Sequence, residues 1–129
     1  MNLKNQVTVM ITENLYNEVL INPISNNEVN TLHAVSGYAS ATFANKHLSE
    51  NKSFQLNLII GMPGRRSDHL GFLNLKHRFG DRFNGYYYKA RPPVHCKVYA
   101  WSRDEKPLIG YSGSANYSQP GFNRKDQVN

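Results

Sequence analysis

The sequence predicts a sheet covered by helices, an α/β or α+β sandwich, on three observations. Segments with apolar residues at helical spacing alternate with β-prone runs from Thr12 to Phe79. Phe54-Gln55-Leu56-Asn57-Leu58-Ile59-Ile60 begins as an alternation and ends wholly apolar, as a strand inside a sheet does. The last third of the chain holds several β-prone runs separated by turn residues.

Thr12 to Leu20 places Leu15, Val19 and Leu20 at helical spacing behind a Thr cap, which predicts a short helix. Asn22-Pro23 through Asn27 reads as a turn-rich connection. Val29 to Tyr38 carries β-branched residues and reads as a strand, and Ser40 caps a second helix through Phe43, Ala44 and Leu48. After the Phe54–Ile60 strand, Gly61-Met62-Pro63-Gly64 is a loop. Asp68 to Phe79 predicts a third helix with Gly80 as its stop. Strands are expected at Phe83–Lys89, Val94–Trp101 and Leu108–Ser112, with Arg91-Pro92-Pro93 and the Arg103–Pro107 turn between them.

A chain of 129 residues fits one domain, residues 1–129. Such a domain ordinarily needs a further strand after Phe122, so the chain is expected to be cut short at its C-terminal end or to continue. The longest apolar stretch, Leu58 to Met62, cannot cross a bilayer, and the first residues lack a signal-peptide layout. One cysteine makes no internal disulfide, and a cytoplasmic, non-membrane protein is expected. The net charge is +6, and most of the basic residues fall between Arg65 and Lys125. That balance suits a polyanionic partner, whose phosphates exchange counterions for Lys and Arg.

The run Val94-His95-Cys96-Lys97-Val98-Tyr99-Ala100-Trp101, read as a strand, puts His95, Lys97, Tyr99 and Trp101 on one face. Val94, Cys96, Val98 and Ala100 then make a small apolar face directed at a core, with Cys96 a core residue. A His and a Lys two apart make sense if an anion sits between them, since the ammonium is a point charge suited to a phosphate oxygen. Gly113-Ser114-Ala115-Asn116 follows the next strand. Gly113 permits close backbone approach to a ligand, Ser114 and Asn116 offer short hydrogen-bonding groups, and a helix starting there would aim its first amides at an anion.

His95-Cys96-Lys97 followed by Gly113-Ser114-Ala115-Asn116 resembles the signature of the phospholipase D superfamily, and within it the restriction-endonuclease branch of the NgoFVII type. The likeness is carried by the last third of the chain. It implies a phospholipase D-like mixed sheet flanked by helices on both faces. It also implies a DNA endonuclease that hydrolyses phosphodiester bonds through a covalent phosphohistidine, with no metal and no cofactor. His95, Lys97, Asn116 and Ser114 would be the catalytic set, with Gly113 and Arg91 on the substrate. One motif per chain, for chemistry that uses two histidines, implies a homodimer with a composite active site. DNA recognition would lie in an additional domain outside this chain. The general pattern has an Asp where Ser102 stands, with Asp104 two residues on; the restriction branch lacks that Asp. Many relatives carry a Glu where Gln127 stands beside Asp126, and Gln127 would orient a histidine by hydrogen bonding while stabilising imidazolium less well.

Two other functions fit parts of the pattern: a phospholipase D-type lipid phosphodiesterase, and a non-catalytic nucleic-acid-binding or dimerisation module of the same fold. His33, His47, His69 and His77 show no metal-ligand spacing. Gly61–Gly64 before Arg65-Arg66 lacks the ending of a phosphate-binding P-loop and reads as a turn with a basic edge. Tyr86-Tyr87-Tyr88 offers faces that stack on bases, although aromatic runs in strands more often pack.

Overall fold

A computed structural model describes residues 8–123 apart from Asn27 and Pro63. A π-helical turn, Tyr16–Ile21, runs into α1 (Asn22–Asn26), followed by β1 (Thr31–Ser36), α2 (Ala41–Glu50), β2 (Gln55–Ile60) and α3 (Arg66–Phe79). A 3-10 turn at Gly80–Arg82 leads to β3 (Phe83–Tyr87), then β4 (Val98–Arg103), β5 (Lys106–Ser112) and α4 (Gln119–Phe122). The strands form one five-stranded sheet in the order β3-β2-β1-β4-β5. β1, β2 and β3 are parallel, and β4 and β5 are antiparallel additions. The α/β class and the mixed sheet agree with expectation.

Local chemistry explains most boundaries. The Ser40 hydroxyl accepts from Phe43 N at 3.1 Å and caps α2. Gly80, at φ +58°, ends α3 in a conformation that costs a glycine little. The first helix starts later than Thr12 because Asn14 sits at φ +54°, outside the right-handed helical region. The helical run then continues through the expected Asn22 turn, because Asn22 N–H bonds back to Asn17 O and joins the π-helical turn to α1.

Leu32, Ala34, Leu56, Leu58, Phe83, Tyr99 and Trp101 bury one sheet face against Leu20, Phe43, Leu48, Phe72 and Phe122. Among the described residues the helices pack on that face, where the resemblance implied helices on both, because the other face presents exposed Ile59, Tyr86 and Val98 with no helix against them. The opposite face, through Tyr86, Ile59 and Val98, is substantially exposed. No helix among the described residues is long and apolar enough to cross a membrane.

The largest departure from expectation concerns β4. Its ladder begins at Val98, not Val94, and its phase is inverted: Tyr99 and Trp101 are in the core while Val98 is exposed. Two aromatic side chains bury far more area than Val98 and Ala100, and both have their polar ends satisfied. Trp101 Nε1 donates to Val19 O at 2.7 Å and Tyr99 Oη to Ala115 O at 2.6 Å. Cys96 is exposed in the preceding loop, not in the core.

A buried histidine braces the core. His47 Nε2 meets Leu20 O at 2.8 Å and Nδ1 meets the Tyr117 hydroxyl at 2.7 Å. A carbonyl only accepts, so Nε2 carries the proton and Nδ1 receives the phenol's hydrogen. Burial pushes the His47 pKa down from 6.5 to about 4. With the folded value below the unfolded one, its contribution is full above the unfolded pKa and is lost as pH falls from there through the folded one. Denaturant titrations at pH 7 and pH 4 should therefore differ by about 3 kcal/mol from this group. His47→Gln, which does not titrate, should show a correspondingly shallower fall.

Candidate functional site

The C-terminal ends of β1, β2, β3 and β5 and the N-terminal end of β4 share one edge of the sheet. Open α/β sheets bind ligands at the carboxyl ends of their parallel strands. Main-chain hydrogen bonds stitch the loops there into a floor. Gly61 N donates to Ser36 O at 2.8 Å, Met62 N to Gly37 O at 2.9 Å, and Val94 N to Gly61 O at 3.1 Å. Gly113 N donates to Lys97 O at 3.3 Å, and Ser40 N to Tyr117 O at 3.0 Å.

His95 lies on this floor in the loop before β4. A Cβ placed on Gly37 would sit 3.4 Å from His95 Cα and 3.6 Å from its Nδ1. The His95 ring stands edge-on to Tyr38, with centroids 6.2 Å apart. Asn116 reaches the same turn: its Oδ1 accepts from Tyr38 N at 3.2 Å and from Ser36 Oγ at 3.3 Å. A backbone N–H as donor fixes the amide's orientation, so the Asn116 oxygen faces the protein and its NH2 group is the end left to donate elsewhere. The buried Ser36 hydroxyl also accepts from Tyr117 N at 3.0 Å, tying the motif's turn to the end of β1.

The structure thus brings His95 and Asn116 to the same Gly37-Tyr38 turn, and its backbone pairs half-buried Lys97 with Gly113. It does so by a different route from the expected alternation, since residues 94–97 are loop and are held by main-chain bonds to Gly61 and Gly113. Gly113 and Ser114 are exposed in a turn and start no helix; the short helix comes later, at Gln119–Phe122. A Cβ on Gly113 would meet nothing within 4 Å, which leaves open space above it. Ser114 also borders a separate cavity of about 230 Å³ with Ile11, Leu15 and Phe122. Arg91 is exposed beside its cis bond to Pro92, in the loop that leads to His95. Gln127 and Asp126 lie outside the described residues. Among the described residues no three His, Cys, Asp or Glu side chains gather as a metal site would require.

Several positioning residues were not singled out from sequence. A Cβ on Gly61 would lie 1.9 Å from Val94 O, and one on Gly121 would lie 2.1 Å from Asn116 O. A glycine closing an apolar strand, as Gly61 does, signals close backbone approach. Ser36, Tyr38 and Tyr117 carry no such signal, because their role comes from contacts made across the fold.

A family model described as NgoFVII restriction endonuclease N-terminal PLD domain matches residues 13–128. No curated protein and no solved structure matches the chain.

Proposed function

Because the chain belongs to the NgoFVII restriction endonuclease N-terminal PLD domain family, we propose that it cuts DNA through a phosphohistidine formed on His95, without a metal ion. The observation that carries this reading is the convergence of His95 and Asn116 on the Gly37-Tyr38 turn.

In the first step a ring nitrogen of His95 attacks phosphorus, an N–P bond forms, and the P–O bond to the leaving oxygen breaks. The His95 of a second copy of this chain gives its proton to that oxygen. The same imidazole then takes a proton from water, whose oxygen attacks phosphorus and breaks the N–P bond, restoring both histidines. Lys97 and the NH2 group of Asn116 stabilise the charge on the non-bridging oxygens, with Ser114, Gly113 and Arg91 as further substrate contacts. One His95 per chain calls for a two-fold dimer with a shared site. Sequence recognition is assigned to an additional domain, and the setting to the cytoplasm.

The test is cleavage of plasmid DNA in excess chelator, with acid-labile attachment of DNA to protein as the second readout. Chelator-resistant cutting with a trapped adduct is expected. Cutting that stops when chelator is added would overturn the mechanism. Release of a phospholipid headgroup with no DNA cut would turn the reading to a lipid phosphodiesterase. DNA binding with no hydrolysis of any kind would leave the non-catalytic module.

A further inference from the structure

A cavity of about 380 Å³ opens beside the candidate site, lined by Tyr87, Tyr88, Lys89, Arg91 and Pro93 and by His69 of α3. Its volume falls in the range of about 300–1,000 Å³ in which small-molecule groups bind. The His69 ring lies tilted against Tyr87, with centroids 4.2 Å apart and planes at 38°. Phe72 supports Tyr87 from the core, edge-on at 6.2 Å. Tyr88 has its backbone pinned, N to Ile60 O at 2.9 Å, while the residue is 41% exposed. Aromatic faces are therefore held open to solvent by a fixed backbone, with two cations beside them and no carboxylate in the lining.

That chemistry matches a nucleobase joined to its phosphate. A base has a flat π face that stacks on an aromatic ring whatever its identity, and Lys or Arg meets the attached anion. The placement matters as much as the composition. Pro93 is two residues before His95, and the chain between them is anchored by Val94 N to Gly61 O at 3.1 Å. A base held here would belong to a nucleotide next to the phosphate that reaches His95.

We infer that this cavity is a nucleobase subsite, in which the exposed rings of His69 and Tyr88 stack a base flanking the scissile phosphate and Lys89 meets its backbone. The inference rests on the reading that a nucleic-acid phosphate reaches His95. A base inside a duplex presents no free face, so the ligand is a base out of the stack, supplied by an unpaired strand or extruded from a duplex.

Equilibrium binding separates this from simple charge attraction. Fluorescence anisotropy would compare a labelled single-stranded oligonucleotide with an abasic one of the same length and charge. The wild-type chain should prefer the base-bearing strand by about ten-fold. His69→Ala and Tyr88→Ala should each remove most of that preference while leaving abasic affinity unchanged, and Lys89→Ala should weaken both ligands alike. All three side chains are exposed, and circular dichroism checks their folds. A paired duplex whose affinity depends on His69 and Tyr88 supports the subsite through an extruded base; dependence confined to the single strand supports it through an unpaired one. Equal wild-type affinity for base-bearing and abasic strands would overturn it, as would a preference that survives both aromatic substitutions. Because binding is read without turnover, a chain that discriminates bases yet cuts nothing keeps the subsite and loses the nuclease reading. A chain that cuts DNA without discriminating does the reverse.

Discussion

Replacing His95 with alanine is expected to lower DNA cleavage by roughly 10⁴-fold or more, the scale on which removal of a nucleophile acts. Binding of DNA should persist, because the charge of Lys89, Arg91 and Lys97 is untouched and sequence-independent affinity follows phosphate neutralisation. His95 is exposed and contributes little burial, so the thermal midpoint should hardly move. The variant also tests the shared site. If two copies must each supply a histidine, an equal mixture of wild type and His95→Ala, allowed to exchange subunits, retains about a quarter of the activity of the same amount of wild type. Independent sites, one per chain, retain about a half. A variant that nicks DNA as well as wild type would remove His95 from the chemistry altogether.

What the sequence disclosed, and what it hid, follow from the range of the interactions concerned. The buried strand at Gln55–Ile60 and the Ser40-capped helix were legible because apolar periodicity and a cap are local. The motif residues were legible as types at a spacing, His95 with Lys97 and Gly113 with Asn116. The phase of β4 was not. Grouping Tyr99 and Trp101 with His95 and Lys97 treated one alternation as running from Val94 to Trp101, but the ladder to β1 pairs Val35 with Val98 and goes no further. Beyond that point the main chain of residues 94–97 bonds to Gly61 and Gly113, partners distant in sequence. Nor could spacing reveal that Asn116 is oriented by Ser36 and Tyr38, about 80 residues away in the chain. A residue type marks a candidate; its direction is set by contacts that only the fold creates.

Gly61→Ala supplies the sharpest test of that distinction between chemistry and placement. The new methyl carbon would start 1.9 Å from Val94 O and 2.9 Å from Val94 Cβ, with no flexible side-chain end to yield. The residue that must retreat is the one before His95, and the Gly61 carbonyl that receives Val94 N would lose its partner in the process. A shift of about 1 Å in a reacting group costs on the order of a hundred-fold in rate. Activity should therefore fall by about that factor, chiefly in kcat, although every side chain of the proposed catalytic set is still present. Gly37→Ala is the matched control on the same floor. Its Cβ would stand 3.4 Å from His95 Cα, an ordinary contact, so that variant should keep its rate within a few-fold. The two substitutions add the same methyl group on adjacent strand ends, both toward Val94 O, and differ in how closely they approach it, 1.9 Å against 3.6 Å. If both variants cut DNA like wild type, the Val94 anchor does not hold the nucleophile. If both fail equally with their folds intact, the floor tolerates no added atom and the anchor is not special. Loss in Gly61→Ala alone ties the rate to the position of one backbone carbonyl, through which the end of β2 holds His95 in place.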